Sequence, residues 1–363
     1  MPNNSSRRDF LFHNIPVAAV ASTTAFAALA SADETKPKRI KVGQIGVGHS
    51  HAAGKMEVLR NSPDWEVVGV VEADPELKAE AQQSDVYRGL QFLTTEQLLN
   101  TPGVEAVAVE TEVDQLLPVA KECVSAGKHI HLDKPPGSSL AAFRELLADA
   151  DRQNLVVQLG YMYRYNPGVL LLRNLLAQGW LGEIFEFDAV MSKEVNQEKR
   201  ELWAQNPGGT MFELGCHLID LMVGIMGKPE KVTPYNHHSS PADDQLMDNM
   251  LAVCSYPRAT ATIRSTALEV EGGERRHLTV CGTKGTLHIQ PLDDPSVRLA
   301  LSEPRGNYRE GYQTITFDIY ERYVADLADL AAIIRGEKQP DFDSAHDLAA
   351  QETLLQACGL PCY

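Results

Sequence analysis

Apolar residues follow two different rhythms along this chain. Between residues 40 and 159, short apolar runs alternate with segments of helical period. Residues 40–47 read as a buried strand that ends in glycine, and residues 51–60 as a helix. A second strand covers 65–71, a helix 75–83, a short strand 91–92 and a helical turn 95–99. Strands at 104–109, 129–132 and 156–159 then alternate with helices at 116–126 and 139–151. Strands separated by helices predict a parallel sheet covered on both faces.

Beyond residue 160 the rhythm changes. Residues 183–191, 245–256, 259–268, 277–281 and 286–290 read as strands in succession, with Thr283-Lys284-Gly285 as a turn. Strands that follow one another with few helices between them predict a mostly antiparallel sheet. Helices over 320–335 and 344–358 close the chain. The expected organisation is an α/β domain over residues 36–160 and an α+β domain over 161–363, with no obvious linker between them.

The chain has 363 residues, 33 basic and 49 acidic, for a formal net charge of −16. That charge excludes bare nucleic acid and anionic membrane surfaces as partners, because a polyanion would be repelled. Residues 1–32 have the pattern of an address. Arg7-Arg8-Asp9-Phe10-Leu11 precedes a mildly apolar run, and small residues around Ala30-Ser31-Ala32 offer a cleavage site. The arginine pair resembles a twin-arginine export signal, which implies a periplasmic or other extracytoplasmic location. The run is too polar for a confident membrane span, and a segment without cysteine offers no lipoprotein anchor. Six cysteines at 123, 216, 254, 281, 358 and 362 form no zinc-like pair and read as free thiols. Cys358 and Cys362 are the one pair suited to a late disulfide, which is not the favoured reading.

Gly46-Val47-Gly48 joins the first strand to the first helix. Glycine lets the backbone approach a pyrophosphate, and the helix N-terminus supplies N–H groups and a positive dipole. Glu72 ends the next strand, where a carboxylate accepts ribose hydroxyls and repels a 2′-phosphate. This predicts a Rossmann domain that prefers NAD to NADP. His49 is a candidate for the phosphate site, and His51 stands where a third glycine is usual.

Further motifs point the same way. His131-Leu132-Asp133-Lys134-Pro135-Pro136 follows a strand and resembles the Glu-Lys-Pro signature of the Gfo/Idh/MocA oxidoreductases. Residues 160–167 and 208–220, and later 280–285 and 320–322, are similar to further segments of that family in the right order. The resemblance spans about residues 40–355. It implies a nicotinamide oxidoreductase acting on a sugar, cyclitol or related hydroxy compound, with Lys134 and His217 beside the nicotinamide. It also implies a homo-oligomer, dimer or tetramer, built on the antiparallel sheet.

From the residues themselves, Lys134 can donate to a substrate oxygen and lower a hydroxyl pKa. Glu213 lies four residues before His217 and, on one helix face, would fix its imidazole tautomer. Asp220 is an alternative partner for His217 and a candidate substrate ligand. Tyr161 and Arg164, with Tyr163 and Tyr165 nearby, suit a polyol. Trp203 and Arg200 are candidates for a substrate loop. His237-His238 with Asp243-Asp244 reads as a solvated loop, and no metal is expected.

Four residues depart from the family pattern: Asp133 for Glu, Glu213 for Asp, and Glu110 with Glu112 after the fourth strand. Outside the cytoplasmic membrane, free NAD is not expected, so an exported dehydrogenase must hold its cofactor tightly. Two other readings use the same pocket. One is a redox-assisted glycosidase or lyase that regenerates its own NAD, and the other is a sugar-binding protein without chemistry.

Overall fold

The computed structural model describes residues 38–362, so the export signal expected at 1–32 lies outside the described residues. The first sheet contains β1 (Ile40–Ile45), β2 (Trp65–Val71), β3 (Phe92–Leu93), β4 (Val104–Val109), β5 (His129–Leu132) and β6 (Val157–Leu159). All its pairs are parallel and the order is β3-β2-β1-β4-β5-β6. Helices α1 (Ala52–Asn61), α2 (Pro75–Gln83), α3 (Thr95–Leu99), α4 (Val113–Ser125) and α5 (Leu140–Arg152) connect the strands. β4 shows why the sheet is doubly covered. Ala106 and Ala108 join a cluster with Leu59 and Trp65, while Val107 and Val109 join one with Leu116 and Phe143. Side chains alternate across a strand, so a strand buried on both faces reads as a continuous apolar run.

After a 3₁₀ turn (Met162–Tyr165) come α6 (Pro167–Ala177), β7 (Ile184–Val190), α7 (Gln197–Ala204), a π-helical turn (Met211–Gly215) and α8 (Cys216–Met226). Strands β8 (Lys231–His237), β9 (Asn249–Tyr256), β10 (Ala259–Thr266), β11 (His277–Gly282), β12 (Gly285–Ile289), β13 (Ser296–Leu301) and β14 (Gly311–Thr316) follow, then α9 (Val324–Ile334) and α10 (Ser344–Cys358). The second sheet is ordered β14-β13-β12-β11-β7-β10-β9-β8. Only its β7–β10 pair is parallel. α8 is apolar on nearly every side and is correspondingly buried, with α10 packed on it.

Several elements are absent from the sequence-based expectation. β8 and β14 are the two edges of the second sheet and are only half-buried, so their apolar pattern is weak. Pro234 lies in β8, where an edge strand tolerates it. α6, α7 and β13 were also not anticipated. The helix expected over 320–335 begins only at Val324, because Tyr323 has a left-handed φ of 68°. α9 packs back against α1 and the first sheet, with Leu327, Leu330 and Ala331 beside Trp65. The end of the chain therefore covers the dinucleotide-type sheet although it follows the second one in sequence. All six cysteines are free, including Cys358 and Cys362. Among the described residues, no helix is long and apolar enough to cross a membrane.

Candidate active site

The turn after β1 admits only glycine at its first position. Gly46 has φ 91°, and a Cβ there would lie 2.6 Å from the Glu110 carbonyl carbon and oxygen. α1 then begins with no side-chain cap and no acid in its first turn, which leaves its positive end to an anion. Glu72 accepts hydrogen bonds from the backbone N–H groups of Val47 (2.9 Å) and Asp74 (2.9 Å). Its oxygens retain lone pairs for hydroxyl donors. The structure thus brings Gly46, Val47, Gly48 and Glu72 to one end of the first sheet, with His49 beside them.

Below that turn lies a buried charge cluster. Asp133, after β5, accepts from the Lys134 backbone N–H at 2.7 Å, and its other partners are His49, His51 (3.2 Å) and the Lys55 ammonium (3.3 Å). Lys55 also donates to Glu110 at 2.8 Å, and neither side chain is exposed. Burial pushes Lys55 toward its neutral form, but the Asp133 and Glu110 carboxylates outweigh that and hold it protonated. Burial raises the Glu110 carboxyl, whereas His49, Lys55 and His51 hold Asp133 well below the usual range against its own burial. Burial lowers His51 to about 4, although Asp133 pulls the other way. His49, His51 and Asp133 have the donor types of a metal site. Lys55 already supplies the positive charge that this carboxylate needs, which argues against a cation there.

Lys55 was missed by sequence reasoning. The signal was present: it lies four residues after His51, on the face of α1 that also buries Met56 and Leu59. The acids Glu110 and Asp133 were noted as departures, but their common partner was not.

Lys134 is almost fully buried and donates to the Glu213 carbonyl at 3.1 Å. Gly208 and Gly209 set up the turn that carries Glu213. Gly209 has φ 56°, and a Cβ there would lie 2.2 Å from the Met247 carbonyl oxygen. Residues 211–215 then wind as a π-helix, a form often found at functional sites. His217 follows on α8 with its ring edge-to-face against Tyr163 (5.1 Å) and Tyr161 (5.7 Å). Its Nδ1 is buried without a hydrogen-bond partner. Burial, reinforced by the Lys134 charge, holds the imidazole well below its usual pKa and therefore neutral.

Lys134, Glu213 and His217 line one cavity of about 320 Å³ between the sheets, together with His49, Tyr163 and Trp203. Lys193, Lys199, Arg276 and Arg322 also line it and were not anticipated from the sequence.

Other expected residues make different contacts. Glu213 does not orient His217. Its carboxylate accepts from Asn206 Nδ2 at 2.9 Å, and the i,i+4 argument assumed an α-helix where the chain forms a π turn. Arg164 and Asp220 are not substrate groups in this geometry. Arg164 Nε and Nη2 donate to Asp220 at 2.9 and 2.6 Å, and Nη2 also reaches Asp347 at 2.6 Å. Asp220 further contacts His346 at 3.0 Å rather than His217. Tyr161 is buried and does not line the cavity; it reaches the site only by packing on His217. Arg200 is tied to Asp244 and Asp248 and does not line the cavity.

The description "Oxidoreductase family, NAD-binding Rossmann fold" matches residues 40–161, and "GFO/IDH/MocA C-terminal domain" matches residues 169–288. The chain belongs to the Gfo/Idh/MocA oxidoreductase family. It is 28% identical over 267 residues to the uncharacterized oxidoreductase YdgJ of Escherichia coli K12, covering 73% of this chain and 75% of the relative. It is 28% identical to the trans-1,2-dihydrobenzene-1,2-diol dehydrogenase of Sus scrofa (64% and 69% covered). It is 25% identical to the scyllo-inositol 2-dehydrogenase (NADP(+)) IolW of Bacillus subtilis strain 168 (54% and 55% covered). Its fold is shared with GenD2 from gentamicin A biosynthesis, solved in complex with NAD, at a TM-score of 0.74 and 20% identity over 92% of this chain and 97% of that one. Members of this family have an NAD(P)-binding Rossmann domain. The glycine turn, the uncapped α1 and Glu72 give this chain a donor and acceptor set that fits such a group.

Proposed function

We propose that this chain is an NAD-dependent oxidoreductase acting on a carbinol of a sugar, cyclitol or related hydroxy compound. The observation that carries the reading is the joining of two motifs in one cavity: Lys134 from the first sheet and a neutral His217 from α8. The inositol dehydrogenase among its relatives supports the substrate class. Glu72 supports NAD, because a carboxylate at that place repels a 2′-phosphate. The cofactor, when bound, supplies the hydride acceptor or donor.

The rest is done by the chain. Gly46 and Gly48 allow close backbone approach, and the first turn of α1 would offer its free N–H groups to the pyrophosphate. Lys134 spends one N–H on the Glu213 carbonyl and keeps two to donate to the substrate oxygen. That donation stabilises alkoxide character as the carbinol C–H bond breaks. His217 holds a lone pair on a neutral ring and takes the hydroxyl proton, or returns it in the reverse direction. Tyr161 and Tyr163 fix the ring plane by edge contacts. Trp203, Met162 and Met191 give the cavity an apolar wall that limits water. An export signal over residues 1–32, read from the sequence, would put this chemistry outside the cytoplasmic membrane, where a tightly held cofactor would have to be recycled in place. The second sheet, with Phe185, Tyr235 and Tyr312 exposed on its strands, is the proposed homo-oligomer surface.

The test is to purify the protein from its own compartment, denature it and assay the released nucleotides chromatographically. About one NAD(H) per chain, with NADH formed or consumed on a polyol panel, is the expected result. NADP(H) instead would refute the Glu72 argument. Release of an aglycone without net NADH would replace the dehydrogenase reading with the redox-assisted glycosidase. A chain without nucleotide that still binds sugars would remove the enzyme altogether.

A further inference from the structure

The protein carries a net charge of −16, yet its cavity is cationic. Lys134, Lys193, Lys199, Arg276 and Arg322 line it, against the two carboxylates Glu112 and Glu213. The cations are unequally occupied. Lys134 is held by the Glu213 carbonyl, and Arg276 and Arg322 share Asp293 at 2.6 and 2.7 Å. Among the described residues, the ammonium groups of Lys193 and Lys199 make no hydrogen bond and no ion pair. They flank one indole: Lys193 Nζ lies 5.1 Å and Lys199 Nζ 5.8 Å from the Trp203 ring centroid. Trp203 itself is buried, so the ring they flank is held in place. Lys193 follows β7 and Lys199 is on α7, so both come from the second domain, away from the glycine turn that serves the cofactor phosphates.

We infer that the substrate is anionic, and that Lys193 and Lys199 bind its carboxylate or phosphate group beside Trp203. This rests on the sugar-type reading of the cavity and narrows it. Two like charges beside one apolar ring repel each other and are partly desolvated, so an anion placed between them relieves both costs. Burial, then Lys199, Arg276 and Lys134, lower Lys193 to about 8, and Glu213 opposes them only weakly. A neutral polyol leaves that cost in place. Carboxylate and phosphate share the chemistry required and are separated by the choice of probe.

The experiment measures equilibrium binding by calorimetry to the chain with its nucleotide bound, using D-glucuronate, D-glucose 6-phosphate and D-glucose. Nucleotide retention is measured separately for every variant. One of the two anions is expected to bind at least about 10-fold more tightly than glucose, with the advantage shrinking in added salt. Lys193→Met and Lys199→Met should each remove most of that advantage, and Lys193→Arg should restore it. The advantage should also fall as pH rises through about 8, where Lys193 loses its proton. Glucose binding as tightly as both anions, no binding of either anion, or an advantage that survives both Met variants would overturn the inference. Lysine-dependent anion binding without any turnover would leave it standing and overturn only the oxidoreductase reading.

Discussion

Replacing Arg164 with methionine separates a substrate ligand from a structural strut. Arg164, Asp220 and Asp347 are each at most 2% exposed, and the guanidinium makes three hydrogen bonds of 2.6–2.9 Å to the two carboxylates. It also stacks 4.1 Å from the Phe342 ring centroid. The substitution leaves the buried Asp220 and Asp347 carboxylates with only the neighbouring His346 to offset them, which costs about 3–5 kcal/mol. The pH dependence has a definite sign. In the wild type, Asp220 is pushed up by burial but held below its usual value by Arg164 and His346. Asp347 is already raised by burial despite Arg164. Without Arg164 both folded-state pKa values rise, Asp347 further above the unfolded one and Asp220 against the opposing pull of His346. The stability of the variant is then retained at low pH and lost as pH climbs through the raised values. The penalty relative to wild type should therefore grow as pH rises and shrink as it falls, by up to roughly 1.4 kcal/mol per pH unit and carboxylate. Urea unfolding at several pH values measures it, with nucleotide retention and turnover recorded at low temperature on the folded variant. Stability within about 1 kcal/mol of wild type together with collapsed turnover would refute the strut and return Arg164 to the substrate site.

Three further outcomes are expected. Lys134→Ala should lower kcat by about 10²–10⁴-fold while nucleotide remains bound, measured by single-turnover kinetics. In the wild type, the neutral His217 should keep kcat/KM level as pH falls through 6.5, with the loss appearing only at lower pH. Gly46→Ala should destabilise the chain by more than about 1 kcal/mol, because its Cβ meets the Glu110 backbone in a left-handed conformation, and nucleotide retention should fall with it.

Local pattern determined much of this protein. The alternation of strands and helices before residue 160, the glycine turn with Glu72, and the succession of strands after it are short-range signals, each readable within a few turns of chain. Lys134 and His217 were singled out through motifs that resemble the family's, and the structure brings both to one cavity. The edges β8 and β14 were not legible, since half-exposed strands need not be apolar. Charge partnerships were not legible either. Asp220 lies three residues from His217 in sequence but pairs with Arg164, 56 positions away, and Arg164 reaches Asp347 across 183. Glu213 was given to His217 by spacing, and the π turn gave its carboxylate to Asn206. The acids Glu110 and Asp133 gained meaning only when α1 brought Lys55 between them. Spacing in sequence predicts a contact only where the local helix geometry is known. Which buried charges neutralise one another, and which are left to face a ligand, depends on how distant elements close on each other.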